Sequence, residues 1–272
     1  MNHAFTPFDE MANTYDADFT SSGIGLLQRQ RVWSLLTQVL KESAVSLKIL
    51  EINCGTGEDA IMMARSGHQV IATDASPAMI GKAMDKANGL GIDSAKLQFI
   101  VCPFEEISRK FEGQKFDLIF SDFGGLNCIN KDALKSLCHD LRNLTGENGK
   151  LFLVLLGKYC LWEIAHYSLR GKFSTAFRRL KRKVNFSSNG FGIQVYYYSP
   201  GNLKKICSPG FSLVKKFPVG LFIPPSYLNG KYATDPVKLK KFEKREGRYG
   251  YAVFANLADH YCAIFNKNNG KP

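Results

Sequence analysis

The 272-residue chain is predicted to be an α/β protein, a parallel sheet wound with helices. Two observations carry that prediction. Between about residue 32 and residue 157, apolar runs of strand length alternate with segments of helical period, the pattern that right-handed βαβ crossovers produce. The first of these runs stops at a glycine-containing turn that opens directly into a helix, as a buried parallel strand does.

The elements follow in order. Val32 to Leu40 spaces its apolar residues as a helix, and Leu47 to Ile52 is the first strand. Asp59 to Arg65 is a helix and Gln69 to Thr73 the second strand. Ser76-Pro77 opens the next helix: the hydroxyl caps free N–H groups, and proline lacks only an N–H that would be unpaired there anyway. Lys96 to Val101 and Phe116 to Phe120 are strands three and four. Leu134, Leu137, Leu141 and Leu144 share one helical face. Thr145-Gly146-Glu147-Asn148-Gly149 is predicted to turn the chain into a fifth strand, Leu151 to Leu156.

After Gly157 the pattern changes. Tyr159 to Leu169 is an aromatic-rich helix, followed by a basic amphipathic stretch from Lys172 to Lys183. Val184 to Ser188 and Ile193 to Ser199 form a hairpin about Asn189-Gly190, residues that tolerate the positive φ of a tight turn. Leu203 to Cys207 is a short helix, Phe211 to Phe217 strand six and His260 to Phe265 strand seven. A Pro224-Pro225 break and a basic helix, Val237 to Arg245, lie between those strands. Segments 158–200 and 219–259 are read as decorations over the carboxyl edge of one sheet, within a single domain.

Composition removes several classes of protein. Mean hydropathy is −0.15 and no apolar run reaches the roughly 18 residues of a membrane span. The first ten residues lack the basic and apolar segments of a secretory signal, so a cytoplasmic protein is expected. The seven cysteines are scattered with no CxxC spacing and the five histidines are dispersed, so neither a disulfide framework nor a metal site is expected. Charge is uneven: residues 1–157 carry 15 basic and 19 acidic side chains, a net of −4. Residues 158–272 carry 21 and 5, a net of +16, a field that attracts anions or serves only as a solvated surface.

The turn Glu51-Ile52-Asn53-Cys54-Gly55-Thr56-Gly57 sets backbone at the crevice where open α/β sheets bind ligands. Gly55 and Gly57 remove Cβ atoms, so a polar ligand can approach the main chain, and Thr56 lies near the positive end of the next helix. Asp74 ends strand two, 21 residues after Asn53, where a carboxylate can accept from both hydroxyls of a ribose. A dinucleotide is the first rival ligand. Its fingerprint asks for a third glycine where Ala60 stands, a tolerated change, but Glu58-Asp59 would repel the pyrophosphate. A cofactor without phosphate carries no such penalty.

Three segments, Ile49 to Gly57, Val70 to Met79 and Phe116 to Ser121, resemble motifs I, II and IV of class I S-adenosyl-L-methionine (SAM)-dependent methyltransferases. The likeness is to the small-molecule branch, the methyltransferase type 11/25 group. It covers residues 5 to about 157 and resumes at Leu257 to Tyr261, which resembles that group's closing strand, while Phe8 to Asp16 resembles its lid. The resemblance implies a Rossmann-like, seven-stranded, mostly parallel sheet with strand seven antiparallel, helices on both faces and a helical and hairpin lid. It divides the chain into N-terminal lid helices (1–46), a SAM-binding core (47–157), a basic aromatic lid insertion (158–200) and a closing part with a basic helical insertion (201–272). SAM would be the methyl donor and S-adenosyl-L-homocysteine (SAH) the product. Glu51 and the main chain at Asn53, Gly55, Thr56 and Gly57 would surround the methionine moiety. Asp74 would hold the ribose, Ala75 and Met79 would flank the adenine, and the Phe104 N–H would meet its ring. Ser121, Asp122 and Phe123 would lie under the sulfonium, with Tyr15 and Arg31 closing over the methionyl end. Two departures stand out: Asn53 replaces the first glycine of GxGxG, and Cys102-Pro103-Phe104 replaces the acidic residue that reads the adenine amine.

Methyl transfer from a sulfonium needs alignment more than a dedicated catalytic group, so it can leave no motif, and the sequence names no catalytic residue. Asp122, Tyr159 and His166 fall near the carboxyl edge as base candidates, each read first as structural. His260 is read as a structural residue opening an edge strand, and Cys54 as a small filler. Phe173, Phe177, Phe186, Phe191, Tyr196, Tyr197 and Tyr198 are expected to line an apolar pocket. Arg170, Lys172, Arg178, Arg179, Lys181, Arg182 and Lys183 would form its basic rim. That combination suits a lipophilic or anionic small-molecule acceptor taken from an anionic membrane surface. Two other readings stay open. A nucleic-acid methyltransferase would use the basic half on phosphates, although Ser121-Asp122-Phe123-Gly124 is not the Asn/Asp-Pro-Pro-aromatic run that grips a flipped base. The other is a SAM-binding protein without activity. Monomer and homodimer are both compatible.

Overall fold

The computed structural model describes residues 6–43, 45–181, 183–188 and 191–269. Seven strands form one sheet in the order β3-β2-β1-β4-β5-β9-β8. They are β1 (Lys48–Ile52), β2 (Gln69–Asp74), β3 (Leu97–Val101), β4 (Phe116–Ser121), β5 (Thr145–Leu156), β8 (Phe211–Val219) and β9 (His260–Lys267). The first five pair in parallel, and β9 runs antiparallel to both β5 and β8. A separate antiparallel pair, β6 (Lys183–Ser188) and β7 (Phe191–Tyr196), is the expected hairpin; its Asn189-Gly190 turn lies outside the described residues.

Both faces of the sheet are covered, which is why its strands read as continuous apolar runs. Along β5, Leu151, Leu153 and Leu155 enter one core while Phe152 and Val154 enter the other. The first core is closed by α5 (Ile107–Lys110), α6 (Lys131–Leu144) and α9 (Pro200–Cys207) through Ile107, Leu134, Leu141 and Leu203. The second is closed by α2 (Gly23–Leu40), α3 (Glu58–Arg65) and α4 (Pro77–Gly89) through Leu36, Met63 and Ile80. The remaining helices are α1 (Pro7–Met11), α7 (Leu161–Ser168), α8 (Phe173–Ala176), α10 (Asn229–Tyr232) and α11 (Pro236–Tyr249).

Several elements differ from the sequence expectation. His260 opens an interior strand: β9 is inserted between β5 and β8, and β8 is the edge. Helix α2 begins nine residues before Val32, capped by Ser22, whose Oγ accepts from the Gly25 N–H at 3.1 Å. A Cβ at Gly25 would stand 2.0 Å from the Phe19 carbonyl oxygen, so glycine there is a packing requirement and not a helix breaker. The expected turn at 145–149 is instead an irregularity inside β5, where Phe116 pairs with Thr145 but Leu118 with Lys150. The basic amphipathic stretch 172–183, for which no element was expected, divides among its described residues into α8, a 3₁₀ turn at Arg178–Leu180 and the start of β6.

Candidate functional site

The bend after β1 is built from left-handed residues, with φ of +57° at Asn53, +53° at Gly55 and +79° at Gly57. Two of them are glycines for different reasons. A Cβ at Gly57 would meet Ala83 Cβ and the Phe99 ring at 2.8 Å, so this glycine lets α3, α4 and β3 close together. A Cβ at Gly55 would make only an ordinary contact with the Tyr15 ring, at 3.8 Å, so its positive φ and not crowding calls for glycine there. Asn53 fits because its side chain lies along the end of β4. Its Nδ2 donates to the Asp122 carbonyl at 2.8 Å, and its Oδ1 accepts from Ser121 Oγ at 2.6 Å. Gly125 makes room for it, since a Cβ there would fall 2.4 Å from Asn53 Cγ.

Asp74 turns toward the bend. Its Oδ2 accepts from the Gly55 N–H and its Oδ1 from the Ser76 N–H, both at 2.9 Å, leaving each oxygen a lone pair. Burial raises this carboxyl above the ordinary range, with the Ser76, Gly55 and Ala75 amides opposing. Met79 is buried in the first turn of α4, its N–H bonded to Ser76 Oγ, Ala75 is half-buried, and Phe104 starts a 3₁₀ turn half-buried against the first core.

The N-terminal segment closes onto these elements through polar contacts that the sequence reading did not name. Asp9 Oδ1 accepts from Ser76 Oγ at 2.5 Å and from the Ala78 N–H at 3.1 Å, at the start of α4. Asp16 accepts from Thr56 Oγ1 at 2.6 Å and pairs with Lys86 at 2.9 Å. Lys86 also lies 3.4 Å from Glu58. Burial pushes the Tyr15 phenol well above its usual range.

Between β1, β4 and α2 lies a buried charge cluster. Glu51, Asp59 and Asp122 are 1%, 4% and 6% exposed, and the guanidinium of Arg29 is the cation among them. Arg29 ion-pairs with Asp59, which also accepts from Trp33 Nε1 at 2.5 Å. The Arg29 guanidinium stands 5.1 Å from the Phe123 ring centre and 5.6 Å from that of Phe19. Three buried carboxyls against one guanidinium cannot all be ionised cheaply. Burial first, then Asp59, pushes both Glu51 and Asp122 well above the carboxylate range, with Arg29 opposing. Glu51 Oε2 and Asp122 Oδ2 have no hydrogen-bond partner among the described residues.

Not every residue expected at the site is brought there. Arg31 points to the far side of α2, where its Nη2 donates to the Gly250 carbonyl at 3.3 Å in a cleft lined by Lys240, Lys244 and Glu246. The guanidinium beside the bend is Arg29, two residues earlier. The phase of α2 decides this, and that phase was hidden while Gly23 and Gly25 obscured the helix start. His166 sits on α7 with Nδ1 3.2 Å from the Tyr232 hydroxyl, and Tyr159 is 36% exposed.

Among the described residues, the aromatic side chains expected to line a pocket over 173–198 do not converge. Tyr197 and Tyr198 are buried, whereas Phe173 and Phe177 are 61% and 43% exposed. The side chains of Phe186 and Phe191, and Arg182 altogether, lie outside the described residues. Nor is the basic rim uniform. Arg178 and Arg179 turn inward onto buried Glu163 at 2.6 Å and 2.9 Å, while Arg170, Lys172 and Lys181 face outward.

Residues 49–149 match the family model described as a methyltransferase domain. Over 106 residues the chain is 34% identical to the tRNA 5-carboxymethoxyuridine methyltransferase of Escherichia coli (strain K12), covering 39% of this chain and 40% of that protein. Over 122 residues it is 25% identical to the demethylmenaquinone methyltransferase of Clavibacter sepedonicus, covering 45% and 46%. The matches thus span less than half the length of these curated relatives. In fold the chain is similar to magnesium protoporphyrin IX methyltransferase from Synechocystis PCC 6803, solved with bound SAH (TM-score 0.58, 15% identity, 90% of this chain and 86% of that one). It is also similar to a protein from Pyrococcus horikoshii OT3 (TM-score 0.57, 16% identity, 88% and 91%). The fold is the Rossmann-like one of class I methyltransferases, with β9 the antiparallel strand.

Proposed function

We propose that this chain, whose residues 49–149 form a class I methyltransferase domain, binds SAM across the bend after β1 and methylates a small-molecule acceptor. The observation that carries the reading is the charge imbalance at the bend, three buried carboxyls facing one guanidinium. SAM brings an ammonium and a sulfonium at one end. Cations entering beside Glu51 and Asp122 would let these carboxyls ionise and would give their unpartnered oxygens a partner. A pyrophosphate would meet the same carboxyls as repulsion.

Glu51 and the main chain at Asn53, Gly55, Thr56 and Gly57 would hold the methionyl part. Asp74 has lone pairs left for the ribose hydroxyls, and Ala75, Met79 and Phe104 line the adenine side. Ser121, Asp122 and Phe123 would lie below the sulfonium, with Tyr15 above. Arg29 keeps Asp59 and the floor of the cluster in place; Arg31 is no longer assigned to the site. When bound, SAM supplies a methyl group already activated on sulfur. The chain's own part is to align an acceptor with that methyl and to exclude water, which the N-terminal segment does by closing on Thr56, Ser76 and Lys86.

The acceptor is read as lipophilic or anionic. Leu169, Phe173, Phe177 and Leu180, between 43% and 87% exposed, alternate with outward Arg170, Lys172 and Lys181, a surface suited to anionic lipid. A tRNA acceptor is the second reading, favoured by the net charge of +16 after residue 157 and by the named activity of the E. coli relative. Among the described residues no helix is long and apolar enough to cross a membrane, and a cytoplasmic site of action is proposed. Calorimetric titration tests the cofactor assignment: SAM is expected to bind near micromolar strength and Asp74→Ala to weaken it. NAD binding in its place would overturn the reading. Labelling of vesicle-borne or small organic acceptors, against labelling of tRNA, separates the two acceptor classes.

A further inference from the structure

Helix α2 turns its two arginines to opposite faces. Arg29 lies in the buried cluster beside the bend, whereas Arg31 borders a cleft of about 400 Å³ between α2 and α11. From α2 come Leu27, Gln30, Arg31 and Ser34, spaced by three and four residues as one helical face is. From α11 come Lys240, Glu243, Lys244 and Gly247 at the same spacing, and Ile223 joins them from the segment after β8. Apart from Arg31 itself, no residue expected around SAM lines this cleft. Its volume falls within the roughly 300–1,000 Å³ of small-ligand sites.

Arg31 is half-buried and under-used. Among the described residues Nη2 alone of its donor nitrogens has a partner, the Gly250 carbonyl at 3.3 Å, and Nε is buried without one. Burial weighs against its charge and lowers it below the usual guanidinium range, with Glu246 and Cys262 opposing. Glu246 is committed elsewhere. It is 1% exposed, its Oε1 accepts from the Gly220 and Leu221 N–H groups at 2.9 Å and 3.2 Å, and its Oε2 from the Phe222 N–H at 2.7 Å. Arg31, Lys240 and Lys244 form no ion pair among the described residues, and the other carboxylate lining the cleft is exposed Glu243. Gly247 adds an independent sign. It sits near the end of α11, where glycine is less favourable than alanine. A Cβ there would meet nothing within 4 Å and its φ is not positive, so neither packing nor backbone calls for glycine. What the missing side chain does is leave room in the cleft.

We propose that the cleft between α2 and α11 is a second binding site, separate from the bend, and that it takes a phosphate ester. Arg31 offers its fork to two phosphate oxygens, Lys240 and Lys244 add charge at the rim, and Leu27 and Ile223 meet the organic body. Three cations face Glu243 and the amide-bound Glu246, so a dianionic phosphate gains more there than a single carboxylate does. The exposed Lys238, Lys241, Arg245 and Arg248 of the same helix extend the positive field around the cleft. The ester is a free small molecule or one phosphate of an RNA backbone, since both present the same oxygens. The inference stands apart from the methyltransferase reading, because no part of the bend enters it.

Calorimetric titration of the full chain with ribose 5-phosphate, acetate and a short oligouridylate without terminal phosphate tests the site. Ribose 5-phosphate is expected to bind one-to-one and acetate not to bind. Arg31→Met, and Lys240→Gln combined with Lys244→Gln, should each weaken binding about tenfold or more, the loss of a charge-assisted contact. Gly247→Leu keeps every charge and suits a helix better, so it should fill the cleft and weaken binding about as much without lowering Tm. Lys172→Gln, outward on another segment, should leave binding unchanged. Oligouridylate binding that exceeds ribose 5-phosphate, follows the same variants and falls with salt assigns the site to an RNA backbone; the opposite order assigns it to a free ester. The proposal is overturned if neither phosphate probe binds at millimolar concentration, or if acetate binds equally well. Binding indifferent to Arg31→Met and Gly247→Leu would overturn it too, as would displacement of ribose 5-phosphate by saturating SAM. SAM titration is a separate measurement, so failure of the cofactor reading leaves this result intact.

Discussion

Replacing Glu51 by glutamine should move stability and cofactor affinity in opposite directions. Glu51 is 1% exposed, its Oε2 has no partner among the described residues, and burial together with Asp59 raises its carboxyl well above the carboxylate range. For an acid whose folded-state value is raised, the favourable contribution is complete below the unfolded-state value and disappears as pH rises toward the folded one. At neutral pH the raised carboxyl therefore weighs against the folded state, by about 1.36 kcal/mol for each pH unit by which it exceeds the ordinary glutamate value. Glutamine carries no such linkage. The ligand-free variant should therefore gain about 1–3 kcal/mol, and each kcal/mol shifts Tm by roughly 2–4 °C in a chain of this size. The same change removes a charge-assisted contact to the cationic end of SAM, worth about 1.5–3 kcal/mol, or roughly 10- to 150-fold in Kd. Thermal unfolding followed by circular dichroism from pH 5 to 8, with calorimetric SAM titration, reads both effects. A Glu51→Gln protein that melts lower than wild type, or binds SAM equally well, would refute the reasoning.

Other substitutions test the neighbouring parts. Gly57→Ala should destabilise by at least about 2 kcal/mol, because φ of +79° and contacts at 2.8 Å both exclude a Cβ; a Tm equal to wild type would contradict the packing. Arg179→Met leaves Asp259 and Glu163 short of a buried counter-charge and should cost about 3–5 kcal/mol in urea unfolding, with an unchanged midpoint as the contrary result. Arg29→Met should abolish measurable SAM binding while Arg31→Met leaves it within about threefold; the reverse pattern would return Arg31 to the site.

How much of this was readable beforehand follows from where the constraints are local. The strands were legible because both sheet faces are buried, so Leu151 to Leu156 must be apolar at every position. The bend was legible because positive φ and close approach demand glycine, and Asp74 because a strand tip at that spacing has few other uses. What sequence periodicity could not supply was phase and insertion order. The start of α2 is set by contact with Phe19, and a helix read from Val32 onward gives no ground for choosing Arg29 over Arg31. Likewise His260 looked like an edge residue until β9 was seen inside the sheet. The aromatic residues after Gly157 misled for a different reason: aromatic content alone does not tell a core tyrosine such as Tyr198 from a surface phenylalanine such as Phe173.

The charge-starved cluster is tested most directly by counting protons released when SAM binds. Titrations near pH 7 in buffers of different ionisation enthalpy give that number without any assumption about the acceptor. Because burial and Asp59 raise the Glu51 and Asp122 carboxyls well above the ordinary range, cations arriving beside them are expected to drive net proton release, reduced in Glu51→Gln. Binding with no proton exchange, or with uptake, would contradict the account.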